Sequence, residues 1–135
     1  MIHRVLGIGR WTVDFLFAVD TYDKEGVLAC LYDAGAPEGV MERAYRIMES
    51  GRYNRGFTYN SPERLRSVVV VGPSTSGKQF LNTFTHELRH LADGIADHLG
   101  VSLDSERPAY LTGDAAMELS EVVCELGCER CRGVK

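Results

Sequence analysis

His86, Glu87 and His90 stand in the segment HELRH, which matches the metal-binding pattern H-E-x-x-H. On a helix, residues four apart lie one turn apart on one face, so both imidazoles can direct a ring nitrogen at a single ion. Glu87 flanks that position, where its carboxylate can take a proton from a water held by the metal. The chemistry such a triplet serves is metal-assisted hydrolysis. All three residues also fall away from the apolar stripe of Phe84, Leu88, Leu91 and Ile95, so the helix can pack without burying them in apolar core.

A competing signal lies just upstream. In GPSTSGKQ, residues 72–79, Gly72, Gly77 and Lys78 have the spacing of the phosphate-binding loop G-x-x-x-x-G-K-[ST]. Gln79 stands where the magnesium-ligating hydroxyl belongs, and only about 56 residues follow, too few for the rest of a nucleotide-binding sheet. Ser76 to Gln79 reads instead as a capping box. The Ser76 hydroxyl accepts from the Gln79 amide, and the Gln79 side chain reaches back to the Ser76 amide. The loop starts a helix, and nucleotide binding is not expected.

Two histidines leave a catalytic zinc site short of its usual three protein ligands. The extension H-E-x-x-H-x-x-G-x-x-H fails, because Gly94 arrives one residue late and the helical stripe carries on past it to His98. A carboxylate from the following helix is the other completion. SERPAYLTG offers Ser105 as an N-cap, Glu106 in the first turn, and Ala109 and Tyr110 one turn on. With these residues the chain resembles the gluzincin zinc metallopeptidases, in which H-E-x-x-H on one helix is completed by a Glu on the next. The small single-domain minigluzincins match it best in scale.

The resemblance spans roughly residues 65–126. It implies Zn2+ as cofactor, His86, His90 and Glu106 as ligands, and Glu87 as general base in hydrolysis of an amide bond in a peptide or protein. It also implies a zincin-like fold whose edge strand receives the substrate backbone, with LRSVVVVG, residues 65–72, as the candidate strand. Asp104 and Asp93 are the substitute carboxylates, and Asp93 is better placed to hydrogen-bond a ligand histidine. Tyr110 could steady an oxyanion or serve as a half-buried packing tyrosine. The reading from another class is a non-catalytic binding or assembly protein that keeps a zincin-like fold.

The elements that must position these residues follow from periodicity. In WTVDFLFAV, residues 11–19, Trp11, Val13, Phe15, Phe17 and Val19 share a face opposite Thr12 and Asp14, which predicts a half-buried strand. HRVLGIG is its hairpin partner, with Gly9-Arg10 near the turn. Residues 23–34 fit a helix or a strand equally. Pro37-Glu38 opens a helix that runs to Gly51, and RYNRGFTYNSPER, residues 52–64, reads as a loop. A valine-rich strand, fitting an edge or a fully buried strand equally, precedes the motif helix, which spans 75 to about 99. A final helix from Ser105 carries Leu111, Ala115, Leu119, Val122 and Val123. The expected fold class is α+β, a small, largely antiparallel sheet packed on helices, in one domain over residues 1–135.

The chain has 135 residues, of which 44% are apolar and 25% charged, an ordinary globular composition. A net charge of −4 and scattered basic residues argue against a nucleic-acid partner bound through bulk charge. Apolar runs are far too short for a membrane span, and Arg10 and Asp14 interrupt any signal-like start. A reducing, cytoplasmic setting is the expectation. Cys124, Cys128 and Cys131 crowd the C-terminus at i, i+4, i+7, where thiolates on one face could hold a second metal, with Cys30 or His3 as a fourth ligand. The plainer account makes Cys124 a core cysteine ahead of a basic tail.

Overall fold

In a computed structural model of the chain, residues 1–50 and 56–132 are described. Strands β1 (Ile2–Ile8), β2 (Trp11–Phe17), β3 (Gly56–Ser61) and β4 (Arg66–Val71) form one sheet in the order β1-β2-β4-β3. The β1–β2 hairpin turns at Gly9-Arg10, where Gly9 takes φ +60, a region that costs glycine little. β3 pairs antiparallel with β4, whereas β2 and β4 run parallel. The sheet is therefore mixed, antiparallel in two of its three pairings and parallel in the third. Parallel neighbours need a long crossover, and helices α1 (Lys24–Asp33) and α2 (Glu38–Glu49) lie within it. The ambiguous segment 23–34 resolves as helix. Gly51, the expected stop of α2, lies outside the described residues.

The two faces of the sheet carry separate cores. On one, Val27 and Leu31 of α1 and Ala44 and Met48 of α2 pack against Leu16, Val68 and Val70. On the other lie α3 (Gly77–His98), α4 (Glu106–Glu118), α5 (Ser120–Gly127) and a short α6 (Glu129–Arg132). Phe80, Phe84, Leu88, Leu91 and Ile95 of α3 meet Trp11, Val13, Phe15 and Phe17 there. Because helices cover both faces, β2 is buried on both sides rather than half-buried, with Asp14 only 4% exposed. Alternation had told which residues share a face; it carried no information about a second helical layer.

The run Val68–Val71 divides between the two cores, which makes β4 an interior strand. LRSVVVVG is thus not an edge. The edges are β1 and β3, and β3 occupies a stretch expected to be loop. Thr58, Tyr59 and Asn60 pair with Val69, Val68 and Ser67, so an interior valine strand supplies the order that the local Asn, Gly and Pro content did not suggest. The single helix expected after Ser105 is interrupted at Leu119, whose φ of −99 and ψ of 13 separate α4 from α5. No helix among the described residues is long and apolar enough to cross a membrane.

Candidate metal centre

The start of α3 is built as a cap. Ser76 Oγ accepts from the Gln79 amide at 3.1 Å, while Gln79 Oε1 accepts from the Thr75 amide at 2.7 Å, one residue earlier than a capping box requires. The Glu129 carboxylate of α6 accepts from the Gly77 amide, placing the chain's own anion at this helix N-terminus. A Cβ at Gly77 would lie 2.1 Å from the Gly127 carbonyl oxygen. The phosphate-loop resemblance is thereby accounted for by packing of α3 beneath α5 and α6.

Two turns on, His86 and His90 project from α3 into solvent, their Nε2 atoms 3.1 Å apart and their rings edge to face. Two nitrogens on one tetrahedral zinc, each at about 2.0–2.1 Å, stand about 3.3 Å apart. The pair therefore already has the separation that two ligand positions require, and in this respect the residues fit the ion.

Glu87 differs from its expectation. It is 4% exposed and turned toward the sheet instead of lying on a solvated face. Thr58 Oγ1 sits 2.9 Å from Glu87 Oε1, to which it donates, and 3.2 Å from the Glu87 carbonyl oxygen. The reason is angular: Glu87 follows Phe84 by three residues and precedes Leu91 by four, so it borders the core stripe on the side nearest β3. Two glycines bring helix and strand this close. A Cβ on Gly56 would lie 2.9 Å from Glu87 Cγ, and one on Gly94 would lie 2.3 Å from Asn60 Nδ2. Gly94 thus serves as a contact point in a helix that continues straight to His98. His98 packs edge-on against Trp11 with ring centroids 5.4 Å apart, away from the histidine pair.

A second polar chain reaches the same helix. Trp11 Nε1 donates to Ser67 Oγ at 2.8 Å, Ser67 Oγ to Asn60 Oδ1 at 2.6 Å, and Asn60 Nδ2 to the His90 carbonyl oxygen at 3.3 Å. Strands β2, β4 and β3 are linked in turn to the backbone of a candidate ligand. Ser67→Ala would strip the buried indole N–H of its acceptor, and a loss of about 1–3 kcal/mol in denaturant unfolding is expected. Thr58, Asn60, Ser67 and Trp11 were not recognised from sequence as supports of the motif. The one available signal was the i, i+2 spacing of Thr58 and Asn60, which places both on one face of a strand.

The expected third ligand is not brought to the histidines. Glu106 is exposed and opens α4, and its neighbour Arg107 lines a cavity with the β1–β2 turn residues Gly9 and Arg10, and with His98. Leu111 and Ala115 of α4 line a cavity with Leu6 and Ile8 of β1, whereas Glu87 and the His90 carbonyl of the motif meet β3, the strand at the opposite edge of the sheet. The eight residues that α3 adds after His90 carry the chain about 12 Å further before it can turn into α4. Asp104 is exposed in that connection. Asp93 pairs with Arg89, Oδ1 to Nε at 2.8 Å, rather than with a histidine. Tyr110 is 66% exposed on α4 and is not half-buried. Ser105 precedes α4 as its N-cap residue, yet its hydroxyl donates to the Ser102 carbonyl oxygen instead of capping the helix.

Among the described residues, three potential ligand atoms do gather within 4.8 Å of one another elsewhere, from His3, Asp14 and Cys30. Asp14 is already engaged by His3 Nε2 and by Arg66 Nη2, each at 2.8 Å. Burial first, then the Asp14 charge, pushes the Cys30 thiol above its usual range, which disfavours the thiolate a metal requires. With the Arg66 cation against the carboxylate, an ion pair explains this group better than a metal does. It also joins His3 and Cys30 to Asp14, and among the described residues no group of three potential ligand atoms includes a terminal cysteine. Comparison with protein-family models, curated proteins and solved structures finds no match, so the histidine pair stands on its own chemistry.

Proposed function

We propose that this protein is a zinc-dependent metallopeptidase with a zincin-like fold, hydrolysing an amide bond in a peptide or protein. The observation that carries the reading is the His86–His90 pair, two Nε2 atoms 3.1 Å apart on a solvent-facing flank, with the Glu87 carboxylate on the adjoining residue. Zinc there would supply Lewis-acid polarisation of the scissile carbonyl. His86 and His90 would hold the ion, and the Asn60 contact to the His90 carbonyl ties that turn of α3 to β3. Glu87 is the proton acceptor for the attacking water and passes the proton to the leaving amine. Its hydrogen bond from Thr58 sets the carboxylate's orientation. β3, the edge strand bordering this flank, is the strand along which a substrate backbone would lie. Glu106, which the gluzincin resemblance offers as third ligand, would need the first turn of α4 to cross to the other flank of α3.

The second reading, a non-catalytic binding or assembly protein, is favoured by one observation: Glu87 is buried and clasps β3, a role that needs no metal. Zinc stoichiometry by plasma mass spectrometry on untagged protein separates the two. One zinc per chain is expected, lost in His86→Ala and retained in a Cys124, Cys128, Cys131 triple Ser variant. No zinc after reconstitution, or zinc that leaves only with the cysteines, would sink the peptidase reading.

A further inference from the structure

The C-terminal thiols take no part in the histidine site and form a cluster of their own. Cys124 is exposed on α5, not in the core, while Cys128 joins α5 to α6 and Cys131 lies within α6, both partly buried. Cys124 Sγ and Cys131 Sγ are 3.4 Å apart, and Cys128 precedes Cys131 by three residues, immediately ahead of the same short helix. A disulfide needs about 2.05 Å, a closure of roughly 1.4 Å from the observed separation. The segment carrying Cys131 is held in place independently of the sulfurs. Glu129 accepts from the Gly77 amide, and Arg132 donates to the carbonyl oxygens of Leu126 at 2.7 Å and Ser74 at 2.6 Å.

We propose that Cys124, Cys128 and Cys131 are a redox-active thiol site that exchanges with low-molecular-weight disulfides and closes an internal Cys124–Cys131 disulfide. Their surroundings divide the roles. The Cys131 backbone N–H, then the Cys131 thiol and the Arg130 N–H, pull the Cys128 thiol below its usual range and favour the nucleophilic thiolate. Hydrogen bonds to Cys124 and then Cys128 push Cys131 up to about 11, which keeps it a thiol until an adjacent sulfur is activated.

In the first exchange the Cys128 thiolate attacks one sulfur of a disulfide RSSR, forming a mixed disulfide and expelling RS⁻, which takes a proton from solvent. Cys131 then loses its proton and attacks the Cys128 sulfur, expelling a second RS⁻ that takes that proton. Finally Cys124 attacks Cys131, regenerates the Cys128 thiolate and returns the first proton to solvent. Two protein thiols and one RSSR become one protein disulfide and two RSH.

The test uses the full chain, reduced and then equilibrated in glutathione buffers of rising disulfide content, quenched by alkylation and read by intact mass. Digestion at glutamate cuts after Glu125 and Glu129 and so places Cys124, Cys128 and Cys131 on three separate peptides, which makes the cross-link and its partners visible as a joined peptide pair. Loss of two alkylatable thiols is expected, joined through Cys131 and Cys124, with a rise of about 5 °C in the unfolding midpoint. Cys131→Ser should yield only glutathione adducts, whereas Cys30→Ser should form the same cross-link as the parent protein. Four free thiols at every ratio would overturn the proposal. So would a cross-link through Cys30 or between chains, equal closure in Cys131→Ser, or zinc bound by the parent and lost in Cys131→Ser.

Discussion

Glu87→Gln is expected to lower amide hydrolysis by about 10²–10⁴-fold while leaving zinc content unchanged, the range typical of a lost general base. Glutamine is the informative replacement because its side-chain oxygen can still accept from Thr58 Oγ1, now 2.9 Å from Glu87 Oε1, so the clasp between α3 and β3 survives. An alanine would remove the base together with the side-chain half of the clasp, leaving Thr58 Oγ1 only the backbone carbonyl of residue 87 as acceptor. The measurement is the rate on a peptide library with metal content determined on the same samples. A variant as active as the parent would remove Glu87 from the chemistry and leave it a structural carboxylate. A variant that loses zinc would mean that the carboxylate acts as a ligand and not as a base.

Phe17→Ala should cost about 3–5 kcal/mol, the largest single effect on stability expected in the chain. Phe17 is 0% exposed and lies at the meeting of sheet and helix, with ring centroids 6.0 Å from Phe15, 6.2 Å from Phe80 and 5.7 Å from Phe84. Removing it opens a cavity among rings that pack at defined angles, and β2 cannot collapse into the space because it pairs with β1 and β4 on either side. Total stability of a domain is about 5–15 kcal/mol, so the loss would take a large share. Denaturant unfolding with an unchanged slope would register it. A cost below 1 kcal/mol would mean that the aromatic cluster is not packed as described.

How far the site was legible can be followed residue by residue. Spacing placed His86 and His90 on one helix, and their Nε2 atoms do lie 3.1 Å apart. The same reasoning put Glu87 on a solvated face. A helical wheel built on Phe84, Leu88, Leu91 and Ile95 leaves Glu87 at the margin of the stripe, and the proximity of β3 decides that such a margin is covered. β3 was hidden because GFTYNS carries turn-forming residues and earns its strand pairing only from β4. Glu106 opens the next helix in the chain, but chain distance does not say against which elements that helix will pack.

What local sequence settled was whatever depends on neighbours a turn or a strand pair away. This covers the β1–β2 hairpin, the helix after Pro37, the Ser76 cap and long course of α3, and the pairing of two imidazoles. What only the tertiary structure settled was whatever depends on layer order. Two covered faces bury Asp14 and both sides of β4, and the order β1-β2-β4-β3 makes β3 the edge strand that meets Glu87 and the His90 carbonyl. The physical reason is range. Helix periodicity and capping act over a few residues and are written in the local pattern, while strand order and helix placement arise from burying all apolar faces at once, a condition no single segment contains.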